Sequence, residues 1–217
     1  MKGAIFDIDG TILDSMSAWT KATTEFYRRK GISVNEKDFS YFATVTLTES
    51  FNYIKNTYNL NMSVDEIFSE FDGIILDEYK YNIPAKPFAV EYLKKLKSDG
   101  VKLSVATSAR PAFCEAAFSR LGILELFDAF CYSDKVGTNK SKPDIYLLAA
   151  EKLNLAPQEC AVFEDILTGI KSAKTAGFFT CAIYDETNKN DTDEIKRIAD
   201  KYILSWKALL NYNLALC

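Results

Sequence analysis

Two aspartates, Asp7 and Asp9, close a short apolar run, Ala4-Ile5-Phe6 with Ile8, which Gly10 and Thr11 then break. An apolar run ended by glycine reads as a buried strand with a tight turn after it. Period-two geometry sets both carboxylates on one side of that strand, unless the turn has already begun. Like charges held together, with no basic residue near them in sequence, repel unless a cation sits between them. Hard oxygen donors of this kind suit Mg²⁺. Polar residues recur where later apolar runs end: Thr107 and Ser108 at the end of Val101–Thr107, and Glu164 and Asp165 after Cys160–Phe163. Lys140 lies in the polar loop Gly137–Lys142 that leads into Pro143. Parallel strands would bring all of these to one sheet edge, which is where open α/β sheets bind ligands. Several acids, one ammonium and one hydroxyl there make a metal site with phosphate-binding character.

The elements that must position these residues are set by periodicity and by turn chemistry. Residues 17–30 read as a helix with Trp19, Ala22, Thr23 and Phe26 on one stripe, ended by Gly31. Ser33-x-x-Glu36, Thr46-x-x-Glu49 and Ser63-x-x-Glu66 read as capping boxes. The second precedes the stripe Leu47, Phe51, Ile54 and Tyr58, and the third precedes Val64, Ile67, Phe68, Phe71, Ile74 and Ile75. Residues 14–83 are thus expected to form an all-helical inserted domain, and 1–13 with 84–217 the core. Pro87 suits the first turn of a helix carrying Phe88, Tyr92, Leu93 and Leu96, with Gly100 at its end. Beyond it strands and helices alternate: strand 101–107, helix 111–121, strand 127–132, helix 143–153, strand 160–163, helix 168–176 and strand 178–183. A charged stretch, a short helix, an edge strand at Tyr202-Ile203-Leu204 and a terminal helix complete the chain. Alternation of this kind predicts an α/β fold, a Rossmann-like core whose mainly parallel sheet is covered by helices on both faces.

Composition removes other classes of function. The chain has 217 residues, 48% of them hydrophobic, enough for a substantial core. A formal net charge of −4 offers no basic surface for nucleic acid. No apolar run is long enough to cross a bilayer, and the N-terminus does not read as a signal peptide. Five scattered cysteines, at 114, 131, 160, 181 and 217, fit reduced thiols and a cytoplasmic location. The chain contains no histidine, which excludes imidazole bases and imidazole-built zinc sites.

These motifs carry a resemblance. Asp7-Ile8-Asp9-Gly10-Thr11 resembles the D-x-D-G-T signature of the haloacid-dehalogenase-like superfamily of phosphohydrolases. Its other three motifs are matched in order by Ala106-Thr107-Ser108, by Lys140 ahead of Pro143-Asp144-Ile145-Tyr146, and by Phe163-Glu164-Asp165 with Gly169 and Ala173 after it. The resemblance implies that Asp7 is a nucleophile taking the phosphoryl group as an aspartyl phosphate. It implies that Asp9 is the general acid and then the base for water. Thr107 and Lys140 would hold the phosphoryl oxygens, with Gly10 and Ser108 on the phosphate side; Arg110 reads either as a contact to a distal anionic group of the substrate or as a surface arginine before Pro111. Mg²⁺ would be held by Asp7, the main-chain carbonyl of Asp9, and Asp165, with Glu164 binding directly or through water. Lys140 fits the Lys-x-x-Pro-Asp spacing without a gap, and Lys142 is the alternative. Taken singly, each residue has a bland reading: a cap for Asp14 or Glu164-Asp165, a strand threonine for Thr107, a surface lysine for Lys140. Their ordered convergence favours chemistry.

A helical insert directly after the first motif resembles the cap of the phosphoglycolate-phosphatase and β-phosphoglucomutase group. The resemblance separates the two activities. A mutase of this group carries a cap histidine where Trp19 stands and a cap arginine where Leu47 falls, so a phosphatase is expected and a sugar-phosphate mutase is the alternative. A receiver-type signalling domain lacks the insert, while a catalytically silent phospho-ligand binding module is compatible with the sequence. The expected partner is a small phosphorylated metabolite: a sugar phosphate, phosphoglycolate or a nucleoside monophosphate. Neither nucleic acid nor membrane is expected as a partner, and the chain is expected to be a monomer.

Overall fold

A computed structural model describes residues 1–34, 38, 47–133 and 139–211. In chain order the main elements are β1 (Gly3–Phe6), α1 (Met16–Arg29), α2 (Leu47–Thr57), α3 (Val64–Tyr81), α4 (Ala89–Ser98), β2 (Lys102–Thr107) and α5 (Pro111–Leu121). They continue with β3 (Ala129–Tyr132), α6 (Asp144–Lys152), β4 (Cys160–Glu164), α7 (Leu167–Thr175), β5 (Phe179–Ile183), α8 (Thr192–Ile198) and β6 (Lys201–Ile203). The chain divides into two compact units, Met1–Met16 with Ile83–Cys217, and Ser17–Asn82.

In the first unit the six strands form one sheet in the order β3-β2-β1-β4-β5-β6. Every pairing is parallel. This is the expected α/β architecture. Strand residues alternate between the faces. Ile5, Ala106, Cys131 and Val162 pack against Ile145, Tyr146, Ala149 and Ala150 of α6 and Ala173 of α7. On the other side Phe6 and Phe163 stack at 4.6 Å between ring centroids, covered by Tyr92 of α4 and by Trp206. Both faces are therefore dry, and the strands read as continuous apolar runs for that reason. The central strands β1 and β4 are buried throughout, so the residues immediately past their ends are held firmly in place.

The second unit is helical. Phe51 of α2 meets Phe68 and Phe71 of α3 at 4.7 and 5.3 Å, and Phe26 of α1 at 6.0 Å. Trp19 is half-buried and lies 6.1 Å from Phe71. The capping box at Ser63 and Glu66 is formed as expected. Those expected at Ser33–Glu36 and Thr46–Glu49 include residues outside the described ones, as do Val45, the Leu47 side chain, Gly137 and Cys217.

Two local expectations need correction. The helix assigned to Pro87 begins at Ala89, because Phe88 adopts a left-handed backbone, φ 68°. Its ring consequently leaves the apolar stripe and lies exposed, with the Lys207 ammonium 5.6 Å from its centroid. The expected terminal helix is a 3₁₀ turn over Trp206–Leu209, and residues 212–217 lie outside the described ones.

Candidate active site

β1 ends at Phe6, so Asp7–Gly10 belong to the turn and the pleat does not place Asp9 beside Asp7. The Asp7 N–H donates to the Phe163 carbonyl at 3.0 Å, which extends the β1–β4 pairing by one step and sets Asp7 against the end of β4. There the carboxylates of Asp7, Glu164 and Asp165, all buried, each place an oxygen within 4.8 Å of the others. Asp9 is half-buried, and its carboxylate is not part of this cluster.

The positive charge that sequence proximity did not offer comes from Lys140. Its buried ammonium donates to Asp7 Oδ1 and to Glu164 Oε1. The Lys140 carbonyl in turn accepts from Ser172 Oγ at 2.7 Å, which ties the loop to α7. Lys142, two residues on, is exposed. Tyr146 Oη donates to Glu164 Oε1 at 2.9 Å, while Glu164 Oε2 accepts the Asp165 and Ile166 N–H groups at 2.8 and 3.1 Å. An ionised carboxylate has about four acceptor sites. Among the described residues Glu164 has four donors, so a ligand on Oε1 competes with Lys140 or Tyr146.

Asp165 is differently placed. Thr11 Oγ1 donates to Oδ1 at 3.0 Å and Asn188 Nδ2 to Oδ2 at 2.7 Å. Among the described residues, one site on each oxygen stays open. Gly10 makes this approach possible: its φ is 78°, and a Cβ there would stand 2.9 Å from Asp165 Cγ. Gly169 does the same for Glu164, since a Cβ would come within 2.7 Å of Glu164 Cδ and Tyr146 Oη. The Thr11 carbonyl accepts from Trp206 Nε1 at 3.1 Å, which holds the turn from behind.

Burial pushes the Asp7 carboxyl up to about 7 against the pull of Lys140, and Glu164 and Asp9 add to the rise. Burial, with Glu164 and Asp7 alongside, drives Asp165 well above the usual carboxylate range. For Lys140 burial works against the charge, but Asp7 and Glu164 outweigh it and hold the ammonium above its ordinary value. The centre is thus an overcrowded set of acids with one cation, in a setting where adding a second cation is favourable. Oxygen-only donors, without imidazole or thiolate, fit Mg²⁺.

Thr107 is buried at the end of β2, and its hydroxyl accepts the Ala109 N–H at 3.0 Å. Ser108 and Arg110 are exposed; the Ser108 hydroxyl pairs with that of Ser133 at 3.1 Å, and Arg110 opens α5. Tyr146, Ser172, Asn188 and Trp206 also support the site, and sequence reasoning gave none of the four a role there. Tyr146 had a signal: an aromatic at helical spacing in a predicted helix next to Lys140, with a hydroxyl that burial obliges to find a partner.

Fold and site together define a Rossmann-like α/β core with the lysine-bridged acidic centre of a phosphohydrolase. A profile of the haloacid dehalogenase-like hydrolases matches residues 4–183. Hexitol phosphatase A of Escherichia coli K12 is 30% identical over 84% of this chain and 82% of its own length. Validoxylamine A 7′-phosphate phosphatase of Streptomyces hygroscopicus subsp. limoneus is 32% identical over 82% and 83%. Among solved structures, CbbY from Rhodobacter sphaeroides, in complex with xylulose-(1,5)bisphosphate, superposes with a TM-score of 0.80 at 22% identity over 96% of both chains. The chain belongs to the haloacid dehalogenase-like hydrolase family.

Proposed function

We propose that the protein is a Mg²⁺-dependent phosphatase that hydrolyses a small phosphorylated sugar or sugar alcohol through an aspartyl phosphate on Asp7. The observation that carries this reading is the buried Asp7 carboxylate, bridged by Lys140 and standing within ligand distance of Glu164 and Asp165. Relatives named as hexitol phosphatase A and validoxylamine A 7′-phosphate phosphatase support the substrate class.

The metal would be held by Asp7, Asp165, the Asp9 carbonyl and Glu164, directly or through water, and would neutralise charge on the transferring group. Asp7 attacks phosphorus, and a P–O bond to its carboxylate replaces the ester P–O bond. Asp9 gives its proton to the departing alkoxide. In the second half Asp9 takes a proton from water, whose oxygen displaces Asp7 and releases phosphate. Lys140 and Thr107 hold the phosphoryl oxygens, with Gly10, Ser108 and Arg110 on the substrate side, so that catalysis is mainly positioning and charge stabilisation. For the helical unit Ser17–Asn82 the proposed role is the substrate-selecting cap that an insert after the first motif implies. The reading includes a monomer in the cytoplasm; the four described cysteines are buried and free of disulfides, which suits a reducing compartment.

The test is hydrolysis of p-nitrophenyl phosphate with and without Mg²⁺, beside an Asp7→Asn variant, and then a panel of hexitol and hexose phosphates. Metal-dependent turnover that vanishes in Asp7→Asn is expected. Turnover that survives the substitution refutes the nucleophile, and phosphoryl exchange on a sugar bisphosphate without net hydrolysis would favour the mutase.

A further inference from the structure

We infer that Asn188 is a positioning residue for the metal site, holding the Asp165 carboxylate in its ligating orientation from a loop outside the four sequence motifs. The inference rests on the proposed metal-binding role of Asp165.

Asn188 Nδ2 donates to Asp165 Oδ2 at 2.7 Å, opposite the Thr11 hydroxyl on Oδ1. Two donors, one on each oxygen, fix the plane of the carboxylate and leave one acceptor site on each for a cation. A neutral amide is well suited to this duty. It orients the carboxylate without neutralising it, whereas a lysine in the same place would compete with the metal.

The loop is built to deliver that amide. It leaves β5 at Tyr184 and folds as a 3₁₀ turn over Glu186–Asp191. Asp185 caps the turn, accepting from the Thr187 N–H at 3.0 Å and the Thr187 hydroxyl at 2.5 Å. Asp185 is itself buried and anchored by the Lys86 ammonium, which donates to Asp185 Oδ2 and to the Tyr184 carbonyl, both at 2.8 Å. The Asn188 N–H closes onto the Asp185 carbonyl at 3.1 Å. Asn188 alone departs from helical geometry within the turn, with φ −103° and ψ 16°. The segment from Lys86 through Asp185 to Asn188 is therefore one braced arm that ends on a metal ligand. Lys86 and Asp185 hold the arm, and Asn188 makes its contact with the site.

The experiment measures Mn²⁺ binding to the full chain by electron paramagnetic resonance of the free ion, with the melting temperature of the metal-free protein recorded in parallel. The proteins are the wild type, Asn188→Ala, Asp185→Asn, Asp165→Asn, and Glu186→Gln as a control on the same loop. Loss of a partner behind a metal ligand typically lowers affinity about ten- to a hundred-fold. Asn188→Ala is expected to weaken Mn²⁺ binding by at least about ten-fold with the metal-free melting temperature unchanged, and saturating metal should restore most of kcat. Asp185→Asn should shift affinity in the same direction by less, Glu186→Gln should not shift it, and Asp165→Asn should abolish binding. If Asn188→Ala binds Mn²⁺ like the wild type while Asp165→Asn does not bind it, the inference is wrong and the metal reading stands. A wild-type protein that binds no Mn²⁺ overturns both.

Discussion

Replacing Lys140 with methionine tests whether its ammonium is the resident cation of the metal-free centre. The side chain is 6% exposed and bridges two carboxylates, one of them fully buried. Methionine keeps most of the volume, so what is removed is the charge and its hydrogen bonds. Taking one partner from a buried ion pair costs on the order of 3–5 kcal/mol, because the remaining charge is left uncompensated. At roughly 2–4 °C per kcal/mol for a chain of this size, the metal-free variant should melt on the order of 10 °C below the wild type at pH 8. The loss depends on pH in a definite direction. Asp7 is already pushed up to about 7 with Lys140 in place, and without Lys140 it must rise further. At pH 5.5 the carboxyl is then protonated, the repulsion it would feel is gone, and the destabilisation should shrink. Added Mg²⁺ should recover part of the loss at pH 8, since a divalent cation replaces the missing charge, while hydrolysis stays abolished. Thermal melts in EDTA and in Mg²⁺ at both pH values make the comparison. Equal destabilisation at the two pH values with no recovery by metal would mean that Lys140 only fills space, and the electrostatic account of the centre would fail.

The same geometry predicts the outcome of two further perturbations. Asp7 and Asp165 are both raised in the metal-free protein, so folding binds protons and metal-free stability falls as pH rises from about 4 towards 7. Protons compete with metal for the same oxygens, so the Mg²⁺-induced rise in melting temperature should be larger at pH 8 than at pH 5.5, and a constant rise would contradict the shifts. Gly169→Ala forces a methyl to within 2.7 Å of Glu164 and Tyr146. A destabilisation of about 1–3 kcal/mol is expected, with reduced turnover at saturating metal, measured by urea unfolding and steady-state kinetics, and a neutral variant would show that the contact relaxes freely.

Why part of this centre is legible in the chain and part is not comes down to how each residue reaches it. Asp7, Thr107, Glu164 and Asp165 lie at or just beyond the ends of buried strands, and a parallel sheet carries all such ends to one edge. An apolar run that ends on an acid or hydroxyl therefore announces position as well as chemistry. Lys140 has no strand to announce it; only its motif spacing marks it, and its pairing with Asp7 spans 133 positions. Asn188 has neither signal. It sits in the charged stretch Asp185–Asp193, where no apolar periodicity exists to fix an orientation and where every side chain reads as solvated. Its contact depends on the Lys86–Asp185 pair, 99 positions apart, so only the folded chain brings the arm to Asp165. Phe88 is the converse case. Its pattern marks a helix face, but a left-handed backbone at that position turns the ring outward, and local strain overrides periodicity. Residues placed by regular elements are thus readable from pattern, whereas those placed by loops braced at long range are not. In this protein the second kind supports the first: the strand ends supply the carboxylates, and the loops carrying Lys140 and Asn188 decide how those carboxylates are charged and aimed.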